Sequence, residues 1–316
     1  VKLFTNMEFG EAQRSRLTAI VSPDGLYFGD PEEPTDSDCT AFLESDIGFG
    51  WCPPEWLEEA KNLSWMQFDS VGVGEYACLD WDKLSRRLVC TNLKGFFAVP
   101  VAETAMAGIL ALYRGIFRLI DLKATRTWMK LDLRLRLKTL ADAEVLLVGY
   151  GAFGVRMREL LAPFGCTVKA YDKFAEGAEL REPSEFHAAL PEADVICAAL
   201  PETPETRGLF SRERLDMMKT GAVFVNVGRG SVVDEDSLMD GLRFGRLAGA
   251  VLDVTNQEPL PATHPLWDCP NTIITQHTAG GSSDELDRKL DFFADNLRRY
   301  RDGLPLNNIV DWKRGF

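Results

Sequence analysis

Three side chains in the C-terminal half of this chain have the chemistry of a carboxylate-binding, proton-transferring site. Arg229 stands between Gly228 and Gly230, directly after the apolar run Ala222–Val227. A guanidinium there presents a planar fork of donors that suits a carboxylate. A surface ion pair with Asp234 or Glu235 is the competing reading of the same residue, and position alone does not separate the two. His277 ends another short apolar run and precedes Thr278-Ala279-Gly280-Gly281. Imidazole exchanges protons near neutrality, and the glycines after it suggest close approach of a ligand to the backbone. Glu258, ahead of Pro259-Leu260-Pro261, is an ordinary solvated acid unless it reaches His277. If it does, the pair is a general acid oriented by a carboxylate. His187 and His264 read as structural. Those are all the histidines of the chain, so no histidine-rich metal site is expected.

A second pattern lies upstream. Val145-Leu146-Leu147-Val148 is followed by Gly149-Tyr150-Gly151-Ala152-Phe153-Gly154 and then by a helix-like stretch. The next apolar run, Val168–Tyr171, ends at Asp172. Strand, glycine turn, helix, strand and acid, in that order, make a dinucleotide-binding pattern. Gly149 permits a tight turn, Gly151 lets the backbone approach a pyrophosphate, and Gly154 lets helix and strand pack closely. The helix start presents free N–H groups to phosphate. Asp172 accepts hydrogen bonds from ribose hydroxyls and repels a 2′-phosphate, so NAD(H) is expected over NADP(H).

The elements that position these residues follow from periodicity. Strands are expected at Val145–Val148, Thr167–Tyr171, Asp194–Ala199, Ala222–Val227, Ala250–Val254 and Thr272–Thr275. Helices are expected at Ala152–Leu161, Ser184–Leu190, Arg212–Met218 and Glu235–Arg243, giving a doubly wound parallel sheet. Ligands bind beyond the carboxyl ends of such strands. The glycine turn, Asp172, Leu200-Pro201, Gly228-Arg229, Asp253 and His277 all emerge at that edge. Asp253 is either an acceptor for a nicotinamide amide or a helix cap.

The first hundred residues read as a smaller α/β unit. Its expected strands are Lys2–Thr5, Thr40–Leu43, Met66–Phe68 and Leu88–Thr91, with helices at Phe9–Ile20 and Pro54–Asn62. A long apolar stretch, Val101–Ile120, carries Glu103, Arg114 and Arg118 and reads as a buried helix, not a membrane span. Lys123–Lys138 is locally basic, and Leu131–Leu137 alternates with period two, as in a half-buried strand or a docking arm. An amphipathic helix near Ser283–Arg301 closes the pattern.

Among 316 residues, 35 are Lys or Arg and 48 Asp or Glu, a formal charge of −13. That balance disfavours nucleic acid and anionic membranes as partners. The seven cysteines form no C-x-x-C pair, and the N-terminus shows no secretory apolar core, so a cytoplasmic location is expected.

The ordered series resembles the D-isomer-specific 2-hydroxyacid dehydrogenase family. It comprises Ala102-Glu103, the glycine turn, Leu200–Thr206, Asn226–Glu235, Gly249–Val254, Glu258-Pro259-Leu260 and His277–Gly280. The resemblance implies a Rossmann domain (100–284) inserted into a smaller flavodoxin-like α/β substrate domain (1–99 and 285–316). It implies a catalytic triad of Arg229, Glu258 and His277, acting between NAD(H) and a small 2-oxo acid or D-2-hydroxy acid. Gly149, Gly151, Ala152, Phe153, Gly154, Asp172, Leu200, Pro201, Thr206, Val227, Gly228, Arg229, Asp253, His277, Ala279 and Gly280 would line the cofactor. Gly72, Val73 and Gly74 would join Arg229 and His277 on the substrate. Thr104 would also lie near the phosphates. A homodimer is implied through the Rossmann domain and an arm at 121–140, with Trp128 approaching the neighbour's site. Glu258 sets formate aside, because the related formate dehydrogenases carry glutamine there. Gln276 departs from the proline usual before the histidine, and Phe153 from the usual aliphatic residue. The alternative is an NAD(H)-sensing dimeric regulatory or interaction protein that retains the fold.

Overall fold

A computed structural model describes residues 1–312. The chain divides into two compact units, one built from residues 1–96 and from 282 onward, the other from residues 97–281.

The first unit runs β1 (Lys2–Thr5), α1 (Glu11–Val21), β2 (Gly25–Phe28), α2 (Asp36–Leu43), β3 (Ile47–Gly50), α3 (Pro54–Glu59), β4 (Trp65–Phe68), α4 (Trp81–Leu84) and β5 (Val89–Thr91). Its five strands are all parallel in the order β2-β1-β3-β4-β5, the flavodoxin-like arrangement. The central strands β3 and β4 are buried along their whole length. Thr40–Leu43, expected as a strand, is the last turn of α2. The helix is nucleated upstream, where Thr35 and Asp38 close a capping box, and Phe42 enters the core from its inner face. Two strands escaped the periodicity argument, Gly25–Phe28 and Ile47–Gly50, because glycines interrupt their short apolar runs.

The second unit opens with α5 (Ala98–Tyr113), α6 (Ile116–Ala124) and α7 (Leu131–Arg134). Then come β6 (Glu144–Val148), α8 (Ala152–Leu161), β7 (Thr167–Tyr171), α9 (Pro183–Ala189), β8 (Val195–Ala198) and α10 (Arg212–Met217). It ends with β9 (Ala222–Asn226), α11 (Glu235–Arg243), β10 (Leu247–Leu252) and β11 (Thr272–Ile274). All six strands are parallel, in the order β11-β10-β9-β8-β6-β7. A single bridge from Tyr171 to Leu180 extends the edge beyond β7. Counted as a rudimentary strand, it completes the 3-2-1-4-5-6 order of a Rossmann sheet, with β11 added at the far edge. Period-two alternation sends Leu146 and Val148 to the core on one face and Val145 and Leu147 to the core on the other. This is a doubly wound α/β fold with helices on both faces.

The expected single helix Val101–Ile120 is two helices. Gly115 takes φ +62° between them, a conformation that ends α5 and re-aims the chain. Leu131–Leu137, expected as a strand or arm, contains the short helix α7, with Leu131 and Leu135 outside. Among the described residues no strand lies beside it to pair with, and a lone strand leaves its backbone unsatisfied. The last helix, α12 (Glu285–Arg301), belongs to the first unit. Among the described residues no helix is long and apolar enough to cross a membrane.

Candidate active site

The carboxyl edge of the second unit's sheet carries the predicted residues. Gly149 turns at φ +97°, and a Cβ there would lie 2.5 Å from the Ala199 carbonyl oxygen. Gly154 approaches the Gly149 carbonyl, while nothing lies within 4 Å of a Cβ built on Gly151. Gly151 starts α8 with no side chain capping it. The open space and the uncapped amides are a donor set that fits a dinucleotide pyrophosphate. Asp172 has a structural duty the sequence did not reveal. Its Oδ2 accepts the Tyr150 N–H at 2.8 Å, and its Oδ1 accepts those of Phe174 and Ala175. The carboxylate therefore ties β7 to the glycine turn, with one lone pair left, on Oδ2.

At the end of β9, Asn226 braces the next turn. Its amide donates to the Arg229 carbonyl at 2.9 Å, and its carbonyl accepts the Gly228 N–H. Arg229 is half-buried and makes no ion pair among the described residues. Asp234 instead caps α11, and Glu235 accepts the Asn256 N–H and faces His264. The surface-pair reading of Arg229 is thus ruled out. Its flanking glycines serve the chain itself. A Cβ on Gly228 would sit 2.6 Å from Leu200 backbone atoms, and one on Gly230 would overlap the Thr255 carbonyl.

Past β10, Asp253 is neither a helix cap nor an idle acceptor. Its carbonyl accepts the His277 N–H at 2.6 Å, and its Oδ1 accepts Thr275 Oγ1–H at 2.6 Å and the Ala279 N–H at 3.0 Å. These bonds hold a turn in which Gln276 and His277 both take left-handed backbone, φ +53° and +56°. Proline, locked near about −65°, cannot occupy such a position, which gives Gln276 a physical reason. Gly280 makes room for the Phe97 ring, 2.9 Å from a built Cβ, which gives that glycine a packing reason of its own.

His277 and Glu258 meet, Nδ1 to Oε2, at 2.6 Å. The other Glu258 oxygen accepts the Thr255 N–H at 3.0 Å, which fixes the carboxylate's direction. The side chains are 53% and 37% exposed, so the imidazole is accessible from solvent while its Nδ1 is held. Arg229, Glu258 and His277 line one open cleft of about 800 Å³, together with Thr255 and the Glu202–Arg207 ion pair. Thr206 has its hydroxyl turned into its own loop, donating to the Pro201 carbonyl at 2.6 Å. Thr104 Oγ1 lies 3.5 Å from the Ala279 carbonyl.

The first unit carries Gly72-Val73-Gly74 just beyond β4. The carbonyls there are taken inward: Ser70's by the Leu93 N–H, Val71's by the Asn92 amide and Gly72's by Ser70 Oγ–H. The amides of Val71, Gly72, Val73 and Gly74 find no acceptor among the described residues. A run of unpaired amides on one turn is a donor set that fits an anion.

A Rossmann unit with an uncapped glycine turn and a carboxylate-oriented histidine defines a dinucleotide-linked oxidoreductase. Residues 106–279 match the model of the D-isomer specific 2-hydroxyacid dehydrogenase, NAD binding domain. A glyoxylate reductase of Aeropyrum pernix is 32% identical over 238 residues, 70% of this chain and 69% of that protein. A D-isomer specific 2-hydroxyacid dehydrogenase family protein of Aeromonas salmonicida subsp. salmonicida superposes with TM-score 0.83 at 30% identity, covering 98% of this chain and 99% of its own. A D-isomer specific 2-hydroxyacid dehydrogenase of Xanthobacter autotrophicus, solved with NADPH and MES, gives TM-score 0.84 at 26% identity over 100% and 99% of the two chains. The chain belongs to the D-isomer-specific 2-hydroxyacid dehydrogenase family, which makes it an oxidoreductase linked to NAD(H) or NADP(H).

Proposed function

We propose that this protein reduces a small 2-oxo acid to its D-2-hydroxy acid with NADH, through Arg229, Glu258 and His277. The observation that carries the reading is the 2.6 Å contact between His277 Nδ1 and Glu258 Oε2 in the cleft that Arg229 also lines. The bound nicotinamide supplies the hydride. Arg229 holds the substrate carboxylate with its fork of donors and polarises the adjacent carbonyl. His277, oriented through Nδ1, donates the proton from Nε2 to the carbonyl oxygen, and Glu258 stabilises the imidazolium that precedes the transfer. Asn226 and Asp253 position Arg229 and His277 through the bonds described above. Glyoxylate and hydroxypyruvate are the leading substrates, and the Aeropyrum pernix relative supports the first.

Unit assignments follow from the same reading. Residues 97–281 are the cofactor-binding domain, and the unit containing β1–β5 is the substrate domain. Its Val71–Gly74 amides take a substrate carboxylate. Asp172 favours NADH because its charge repels a 2′-phosphate. The protein works as a homodimer in a reducing, cytoplasmic compartment. The exposed apolar residues of α6 and the arm, Ile116, Leu119, Ile120, Trp128, Leu131 and Leu135, support that assembly.

Absorbance of NADH or NADPH, followed against a panel of 2-oxo acids, tests this reading. Turnover is expected with at least one acid, with NADH preferred. NADH binding without turnover on any acid would replace the enzyme with the dinucleotide-sensing alternative, and a strong NADPH preference would overturn the role given to Asp172.

A further inference from the structure

A charged cluster lies outside the catalytic cleft, inside the first unit. Lys289, on the core-facing side of α12, is only 7% exposed. Its Nζ lies 2.9 Å from Glu285 Oε1, one turn earlier, and 4.0 Å from Asp69 Oδ2. Lysine is almost never this buried without a partner and a reason.

The helix around it is laid along one strand. Tyr300 OH meets Ser64 Oγ at 2.7 Å just before β4 begins, and Asn296 Nδ2 donates to Gln67 Oε1 at 3.1 Å inside the strand. Phe293 stacks on Phe49 and on Trp65, with centroids 4.4 Å and 5.3 Å away. Residues 289, 293, 296 and 300 fall on one helical face. Their contacts span β4 from Ser64, just before it, to Asp69, just past it, and the contact of Lys289 with Asp69 falls where the strand gives way to the turn. Asp69 is the first residue past β4, and its own N–H is spent on the Gly50 carbonyl. Hydrogen bonds hold the carbonyls of Ser70, Val71 and Gly72, and the Asp69 side chain reaches the helix through Lys289. Desolvation pushes the Asp69 carboxyl above its ordinary range, and Lys289 acts against that shift.

We propose that Lys289 is a positioning residue: its buried ammonium, shared between Glu285 and Asp69, fixes the entry of the Val71–Gly74 turn and so pre-organises its amides for a substrate carboxylate. The inference rests on the anion-binding role given to that turn under the proposed function. A hydrophobic residue of the same length would fill the space as well and would often stabilise the fold, so fold stability alone does not account for a charge here.

The test uses the full-length Lys289→Met and Lys289→Arg variants. Lys289→Met is expected to fold, with an unchanged circular dichroism spectrum and NADH affinity. Its KM for the best 2-oxo acid should rise about tenfold with kcat within about twofold, and Lys289→Arg should recover much of the loss. Amide hydrogen exchange at Asp69 and Leu93, whose N–H groups bond the Gly50 and Ser70 carbonyls and so hold the turn's entry, should accelerate in Lys289→Met and not elsewhere in the sheet. The exchange readout needs no turnover, so it separates failure of this inference from failure of the dehydrogenase reading. Unchanged exchange at those two amides overturns the inference whatever the activity. A parallel fall in kcat with unchanged KM overturns it as well.

Discussion

At the scale of single residues, the site depends on short, directed hydrogen bonds. His277 is held through Nδ1 by Glu258, and Glu258 is held through its second oxygen by the Thr255 amide. With Nδ1 engaged by Glu258, Nε2 is the ring nitrogen left for the proton transfer proposed above. His277→Ala is expected to lower kcat by about 10²–10⁴-fold, the usual share of general acid catalysis, while NADH affinity stays as it was. Glu258→Gln should act in the same direction by a smaller factor, because the imidazole keeps a hydrogen-bond partner but loses the counter-charge. Steady-state kinetics and NADH fluorescence titration check both, and turnover in His277→Ala equal to that of the parent chain would remove His277 from the chemistry.

At the scale of elements, the glycine turn is braced from two sides. Asp172 reaches it from β7 through the Tyr150 amide. Arg158, on α8, lies over the Tyr150 ring at 4.6 Å and grips both Glu179 oxygens at 2.7 Å, while Glu179 also accepts the Ala170 N–H of β7. The Arg158 hydrogen bonds hold the Glu179 carboxyl down at about 2, against 4.5 for a free side chain. Its folded-state value is depressed, so its stabilisation is complete above the unfolded value and lost as pH falls from about 4.5 towards about 2. Glu179→Gln should therefore lower Tm most near neutral pH, and the gap to the parent chain should close as pH falls through that window. Thermal melts across the range check it. A gap independent of pH would show that the carboxylate's charge plays no part. The pair is partly exposed, which keeps the effect modest and salt-sensitive.

At the scale of the whole molecule, the apolar face on α6 and the arm sits on a chain with a net charge of −13. Mutual repulsion opposes assembly of such chains, so a stable dimer must bury a large apolar area. Ile120 and Leu135 are 60% and 76% exposed in the single chain, the cost that a partner would remove. Sedimentation should show a dimer for the parent chain and a monomer for Ile120→Glu combined with Leu135→Glu, with the secondary structure intact. A parent chain that sediments as a monomer would refute the assembly.

Much of this was legible in the residues alone, for a definite reason. Parallel strands end at one edge, so periodicity that located β6, β7, β9, β10 and β11 also placed the glycine turn, Asp172, Arg229, Asp253 and His277 at that edge. Local signals of this kind depend on neighbours a few positions away. Other features depend on contacts between distant segments, and these only the tertiary structure decided. Gly228, Gly230 and Gly280 lie against Leu200, Thr255 and Phe97, packing that no local pattern foretells. Thr40–Leu43 reads as a short apolar strand, but a cap upstream makes it helix. The left-handed turn at Gln276–His277 is held by Asp253, more than 20 residues earlier, and no local propensity predicts it. Lys289 reads as one more charge on an amphipathic helix until the fold brings it to Asp69, 220 residues away in the chain. Sequence determined which residues stand at the working edge; packing determined which of them touch and therefore what each is held to do.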